Sequence, residues 1–181
     1  MQHEPRYGLP LVPFSFYFAA VSELAADCFA DAPLIAQDVA RGVTRLFFRQ
    51  DLFAICEVPL PNGRRADMVA LDASGLLTIV EIKVSRADLL GDQKWRDYLD
   101  YCDRFYWAVP QGFALDLFED ELREPGLCGL IVADRYDAAV IREPLLRKLP
   151  SARRRAETLR FARRAARRLA GDLDPGLEQF Y

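Results

Sequence analysis

The sequence predicts an α/β domain of the α+β kind, a mixed β-sheet flanked by helices in the order α-βββ-α-β-α-ββ-α. Three observations carry that prediction. Apolar residues recur at helical spacing from Ile35 to Phe47, and the pattern becomes strand-like at Phe53. Three strand-like runs then follow with tight turns between them. After them helical and strand-like segments alternate irregularly, unlike the regular winding of a fully parallel sheet.

The elements follow in order. Residues 1–33 hold four of the eleven prolines and show no clear period. They read as an N-terminal extension with a short helix near Ser22–Phe29. The apolar stretch Leu9–Val21 imitates a signal peptide, but Glu4 lies beside Arg6, and Pro10 and Pro13 interrupt it, so an extension is the preferred reading. Ala32–Gln50 is expected to be helical, with Pro33 in its first turn. Its inner stripe is Ile35, Val39, Val43, Leu46 and Phe47, and Gln37, Asp38, Arg41, Arg45 and Arg49 lie outside.

Phe53–Leu60 reads as a strand, stopped by Pro61-Asn62-Gly63. Ala66–Asp72 is a second strand. Ala73-Ser74-Gly75 supplies a tight turn in which Gly75 can take a positive φ. Leu76–Val84 is a third, almost wholly apolar strand. Ser85 is placed to cap a helix running to about Cys102, with Asp88 three residues on and Gly91 as a weak point. Phe105–Val109 forms a fourth strand and Leu115–Leu122 a short helix. Gly129–Ala133 and Ala138–Arg142 pair around a four-residue turn, and Ser151 opens a last helix to about Ala170, ended by Gly171. The expected organisation is an extension over 1–33, a core domain over 34–150, and a basic C-terminal helix and tail over 151–181.

Composition narrows the chemistry. With 51% apolar and 28% charged residues the chain reads as globular. None of its four cysteines sits at CxxC spacing, so buried free thiols in the reducing cytoplasm are expected rather than a zinc site or disulfides. No apolar run approaches membrane-spanning length, and no membrane association is expected. The single histidine, His3, lies near the N-terminus, so acid–base work would fall to carboxylates, lysine or water on a metal.

Against that background Glu81 and Lys83 are anomalous, because they interrupt a run that otherwise reads as a buried strand. Two apart on one strand, they leave the same face. A turn at Ala73-Ser74-Gly75 sets Asp67 opposite Glu81, within roughly 5–8 Å at Cβ. Two carboxylates so close repel unless a cation lies between them. Their oxygens suit Mg²⁺ or Mn²⁺, with the backbone carbonyl of Ile82 as a third ligand and Glu57, on the preceding strand, as a further one. Lys83 would orient the attacking water or stabilise charge on a phosphate. The competing reading is a structural ion pair of Glu81 with Lys83 or Arg65, with Glu57 an edge charge in solvent.

This constellation, Asp67 followed after thirteen residues by Glu81-Ile82-Lys83, resembles the motif of the PD-(D/E)XK, or restriction-endonuclease-like, nucleases. A longer pattern resembles the MmcB family of DNA repair endonucleases. It consists of Gly63-Arg64-Arg65-Ala66-Asp67, Ile79-Val80-Glu81-Ile82-Lys83-Val84-Ser85, Asp92-Gln93-Lys94-Trp95, Tyr98, Cys102-Asp103 and Trp107-Ala108-Val109-Pro110, within roughly Ile35–Leu146. The resemblance implies a restriction-endonuclease-like core and a metal-dependent DNA endonuclease, with Asp67 and Glu81 as metal ligands and Lys83 as the catalytic lysine. DNA and other repair proteins would be its partners, and a non-catalytic or partner-activated DNA-binding module is the alternative. Ala66 stands where the superfamily has proline. Gln93 and Tyr98 are one residue too far apart for the Gln-x-x-x-Tyr pair of some relatives, so Lys94, at i,i+4 from Tyr98, becomes the helical candidate to face the site.

Residues 147–168 hold ten Lys/Arg against Glu157, a local charge of +9 that leaves −12 for the rest. Leu159, Ala162, Ala166 and Leu169 form the expected apolar stripe of the last helix. Arg160, Arg163, Arg164 and Arg167 would then contact DNA phosphates, or balance the acidic body in solvent. Trp95, Tyr98, Leu99 and Cys102 read as core packing rather than base stacking. Asp88 and Asp92, after the lysine motif, read as solvated or helix-dipole acids in preference to groups that approach the metal.

Overall fold

The computed structural model describes residues 35–180, so Pro33 and the helix expected near residues 22–29 lie outside the described residues. Helix α1 (Ala36–Arg49) leads into strands β1 (Leu52–Pro59), β2 (Arg65–Asp72) and β3 (Leu77–Ile82). A short helix α2 (Arg86–Gly91) and a 3₁₀ segment (Trp95–Tyr101) precede β4 (Arg104–Pro110). Two 3₁₀ turns (Leu115–Phe118 and Glu121–Arg123) precede β5 (Gly129–Ala133) and β6 (Ala138–Arg142), and helix α3 (Ser151–Leu173) and a 3₁₀ segment (Pro175–Phe180) follow.

The six strands form one sheet in sequence order. β1–β2, β2–β3 and β5–β6 pair antiparallel, whereas β3–β4 and β4–β5 pair parallel, which makes the predicted mixed α+β sheet. Met68 lies opposite Val80 and Ala70 opposite Thr78, the register that sets Asp67 across from Glu81. Gly75, at φ +80°, makes the turn between those strands.

Each face of the sheet is covered. The inner stripe of α1 (Val39, Val43, Leu46 and Phe47) packs on Met68, Ala70, Val80 and Ile82. Ile35, expected in that stripe, is exposed at the helix's N-cap. Gly42 allows the close packing: a Cβ there would lie 2.2 Å from the Asp134 carbonyl oxygen. The opposite face buries Val69, Leu77, Ile79, Phe105 and Trp107 under Leu89, Trp95 and Tyr98. Trp95 is fully buried against Phe105 and Trp107, as the core reading of its stripe requires.

Three expectations are corrected. The helix expected over residues 85–102 is two pieces. Ser85 does cap its start, its Oγ accepting from the Asp88 N–H at 3.1 Å. Asp92 then leaves helical φ/ψ at φ −84°, ψ 93°, and the chain resumes as a 3₁₀ segment. The α-helical i,i+4 relation between Lys94 and Tyr98 is therefore absent. Gly171 does not end α3; the helix runs on to Leu173, and Pro175 biases Asp174 out of the helix.

The third correction concerns which side of α3 faces the body. Leu159 and Leu169 are 60% and 61% exposed, and Ala162 and Ala166 are exposed as well. The inner side carries Arg154, Glu157, Phe161, Arg164 and Arg168 instead. The helix is seated by polar ties that a hydrophobic stripe cannot register. Arg154 pairs with the buried Asp103, which also accepts the N–H groups of Leu77 at 2.9 Å and Leu149 at 2.7 Å. Arg168 donates to the carbonyls of Cys56 and of Glu57, the latter at 3.2 Å.

Candidate active site

Asp67 sits on β2 and Glu81 on β3, both on the face opposite α1. The Asp67 N–H donates to Glu81 Oε1 at 3.3 Å, and the Ile82 N–H donates to Asp67 Oδ2 at 2.8 Å. Each carboxylate is thus held by the other's strand. Both lie in surroundings that penalise charge. Burial is the largest influence on Glu81 and the nearby Asp67 carboxylate the next, and together they push it up to about 8. Asp67 is also raised, first by burial, against the lowering effects of the Ile82 N–H and Lys83.

Lys83 follows β3 directly and is 6% exposed. Its Nζ lies 2.8 Å from Asp92 Oδ2, 3.7 Å from Asp88 Oδ1 and 3.8 Å from Glu81 Oε2. It also stands 5.8 Å from the centre of the Trp107 ring, whose residue is next to Glu81 in the β3–β4 register. Burial favours the neutral amine, but the Asp92 hydrogen bond and the surrounding carboxylates outweigh it, so the lysine is held charged.

Two residues that support this site were missed by sequence reasoning. Asp92, read as a solvated or dipole acid, is the nearest partner of Lys83. Arg123, buried at 7% exposure, donates to the carbonyl oxygens of Leu89 at 2.6 Å and Asp92 at 2.8 Å. It closes the C-terminus of α2, where orphan carbonyls and the helix dipole favour a cation, and so fixes the segment that carries Asp92. A buried lysine needs a buried counter-charge, and that requirement was the available signal for Asp92. Nothing in the spacing marked Arg123.

Tyr98 borders the acid pair. Its hydroxyl donates to the Arg65 carbonyl oxygen at 3.1 Å, and burial with the Glu81 charge raises it. Glu57 is at the rim, its side chain 54% exposed and its Oε2 2.5 Å from Arg65 Nε. Its φ of +53° is a left-handed conformation that costs a non-glycine residue about 1–3 kcal/mol.

Lys94 is exposed. Arg160 is bound to Glu157, while Arg163, Arg164 and Arg167 line a cleft under α3. The three cysteines among the described residues are free, and no described helix is long and apolar enough to cross a membrane.

An oxygen-only donor set suits a hard divalent cation. Asp67 and Glu81 fit one, since a cation between them would relieve the repulsion and burial that now disfavour their charge. No group of three His, Cys, Asp or Glu side chains placed to hold a metal occurs among the described residues.

Comparison with known proteins fits this picture. A solved protein of unknown function from Silicibacter pomeroyi is 39% identical, with a TM-score of 0.71 over 80% of this chain and 94% of that one. No curated protein matches the chain. The model of the MmcB-like DNA repair proteins matches residues 17–176, which include every residue of the acid pair and its lysine. With that match extending over most of its length, the chain belongs to the MmcB-like family of DNA repair proteins.

Proposed function

We propose that this protein is a Mg²⁺- or Mn²⁺-dependent DNA endonuclease acting in DNA repair, with a restriction-endonuclease-like core and a PD-(D/E)XK-type site. The observation that carries the proposal is the juxtaposition of Asp67 and Glu81 across β2 and β3, with a buried Lys83 beside them. Like charges do not gather in a sheet interior without a use for them.

Asp67, Glu81 and the Ile82 carbonyl oxygen would hold the cation. The Ile82 N–H bonds to Asp67, and in an antiparallel ladder a residue's N–H and C=O point to the same neighbour. With so few protein ligands the ion would keep several waters, as Mg²⁺ prefers. Glu57, at the rim, would join through water. A cation held by these residues would supply Lewis acidity toward a water molecule and a phosphate oxygen. Lys83 donates to the attacking water or to a phosphate oxygen, and its charge is secured by Asp92. Trp107 and Tyr98, both buried, border the inner side of the site.

A second reading is a DNA-binding module that needs a partner for activity or has none. It is favoured by the absence of a third metal-ligating side chain among the described residues. Cleavage of labelled single-stranded, duplex and branched DNA with Mg²⁺ or Mn²⁺ separates the two. Metal-dependent cutting that falls at least about 100-fold in Lys83→Ala is the expected result. No cutting of any substrate, with DNA binding unchanged by the substitution, would favour the module.

A further inference from the structure

Helix α3 does not lie flat on the sheet. Beneath it runs a cleft of about 1280 Å³. Its floor lies over Val69 on β2 and Leu77 and Ile79 on β3, all three buried, and the apolar side chains that open into it are the half-buried Leu60 and Phe161. Val69, Leu77 and Ile79 have the same parity as Asp67 and Glu81, so the floor and the acid pair share one face, with Ile79 only about 7 Å along its strand from Glu81. Phe161, on α3 itself, is the half-buried aromatic ring of the cleft, and Tyr101 beneath it is buried.

The wall formed by α3 has the opposite character. Arg160, Arg163, Arg164, Arg167 and Arg168 all line the cleft. Arg160 is committed to Glu157, and Arg168 to the carbonyls of Cys56 and Glu57 beside Asp67. Arg164 is half-buried and has no hydrogen bond or ion pair among the described residues, while Arg167 and Arg168 repel it. A half-buried guanidinium among like charges is a seat for an anion. Arginines beside accessible apolar and aromatic side chains are the combination that holds unpaired nucleic acid, phosphates on the guanidinium groups and bases on the apolar surface. The volume exceeds that of a pocket for one small molecule, roughly 300–1,000 Å³. Duplex readers place a projecting helix or ribbon in a groove of the DNA, whereas these arginines line a recess.

We propose that this cleft binds single-stranded nucleic acid, with phosphates on Arg163, Arg164 and Arg167 and bases against Leu60 and Phe161, and leads the strand to Asp67 and Glu81. Delivery for cutting rests on the nuclease reading; the binding does not.

The test is fluorescence anisotropy of the full chain in EDTA, where no cutting occurs, with a labelled oligothymidine and a labelled duplex of equal length. The single strand should bind at least about tenfold more tightly than the duplex. Arg164→Ala with Arg167→Ala should weaken strand binding about tenfold or more and flatten its salt dependence, while the paired lysine substitutions stay within about threefold. A duplex bound as tightly, or alanine substitutions without effect, would overturn the proposal. Photocrosslinking of an iodouracil-containing strand to the unaltered protein is independent of variant folding. Crosslinks at Phe161 are expected, and crosslinks confined to other surfaces would overturn it. Strand binding without metal-dependent cutting would sink the nuclease reading alone. Duplex cutting lost in Glu81→Gln, without strand preference, would sink the cleft proposal alone.

Discussion

Lys83 Nζ is 2.8 Å from Asp92 Oδ2 but 3.8 Å from Glu81 Oε2, so the lysine of the strand motif is held chiefly by an acid from outside the sheet. Asp92 in turn is placed by Arg123, which binds the Asp92 backbone carbonyl. The site is therefore a chain of positions, from Arg123 through Asp92 to Lys83, built on the break after α2.

Replacing Asp92 tests the middle of that chain. Asp92→Asn should lower kcat for DNA cleavage about 10–100-fold, the usual effect of removing a partner that orients a site residue. KM should stay within about threefold, and Asp92→Glu should restore part of the rate. Single-turnover kinetics on a cleavable substrate would measure this, and a loss confined to KM would argue against a positioning role.

The acid pair predicts a pH dependence in metal-free protein. Glu81 is raised from 4.5 to about 8 in the folded state. Between those values the native state holds a proton that the unfolded chain has released, so stability should fall as pH rises from about 4.5 to 8. The loss should be on the order of a few kcal/mol, read as a falling urea midpoint in EDTA. Glu81→Gln should flatten the profile. Mn²⁺ at about 100 times its Kd should return about 2.7 kcal/mol to the unaltered protein, and much less to the variant.

Arg123→Met keeps much of the side chain's bulk but removes the guanidinium donor from the Asp92 carbonyl and leaves the Leu89 carbonyl only the Asp92 N–H. A cost of about 2–4 kcal/mol in urea unfolding is expected. Cleavage should also fall in protein that is still folded, because the Asp92 segment loses its anchor. A stable variant with full activity would remove Arg123 from the chain of positions.

Gly42→Ala tests the packing of α1. The added Cβ would meet the carbonyl oxygens of Asp134 and Asp137 at 2.2 and 2.5 Å, and both are backbone atoms that cannot swing away. Alanine normally favours a helix by about 1 kcal/mol over glycine. Here a net destabilisation of about 1–3 kcal/mol is expected from overpacking, measured as a drop in Tm.

The sequence by itself determined the strand order of the N-terminal half, the turn at Gly75, and hence the meeting of Asp67 with Glu81. Those features depend on period-two alternation and a short turn, both local in the chain. β5 and β6 were read at their observed bounds for the same reason. The anomaly of a charged Glu-x-Lys in an apolar run was equally visible, because the cost of burying charge does not depend on the fold around it.

Tertiary structure alone decided three things. It broke the helix after β3, where the backbone leaves helical geometry at Asp92 and Asp92 meets Lys83 across the fold. It placed Arg123 against that break from a turn some thirty residues away. It also turned α3 over, so that Leu159 and Leu169 face outward and Arg154, Arg164 and Arg168 inward. Helical spacing can state that two sides differ, but the side that faces the body is chosen by what it meets. Here that is the buried carboxylate of Asp103 and the carbonyls at the Glu57 kink, whose hydrogen bonds to arginine outweigh a stripe of two leucines and two alanines.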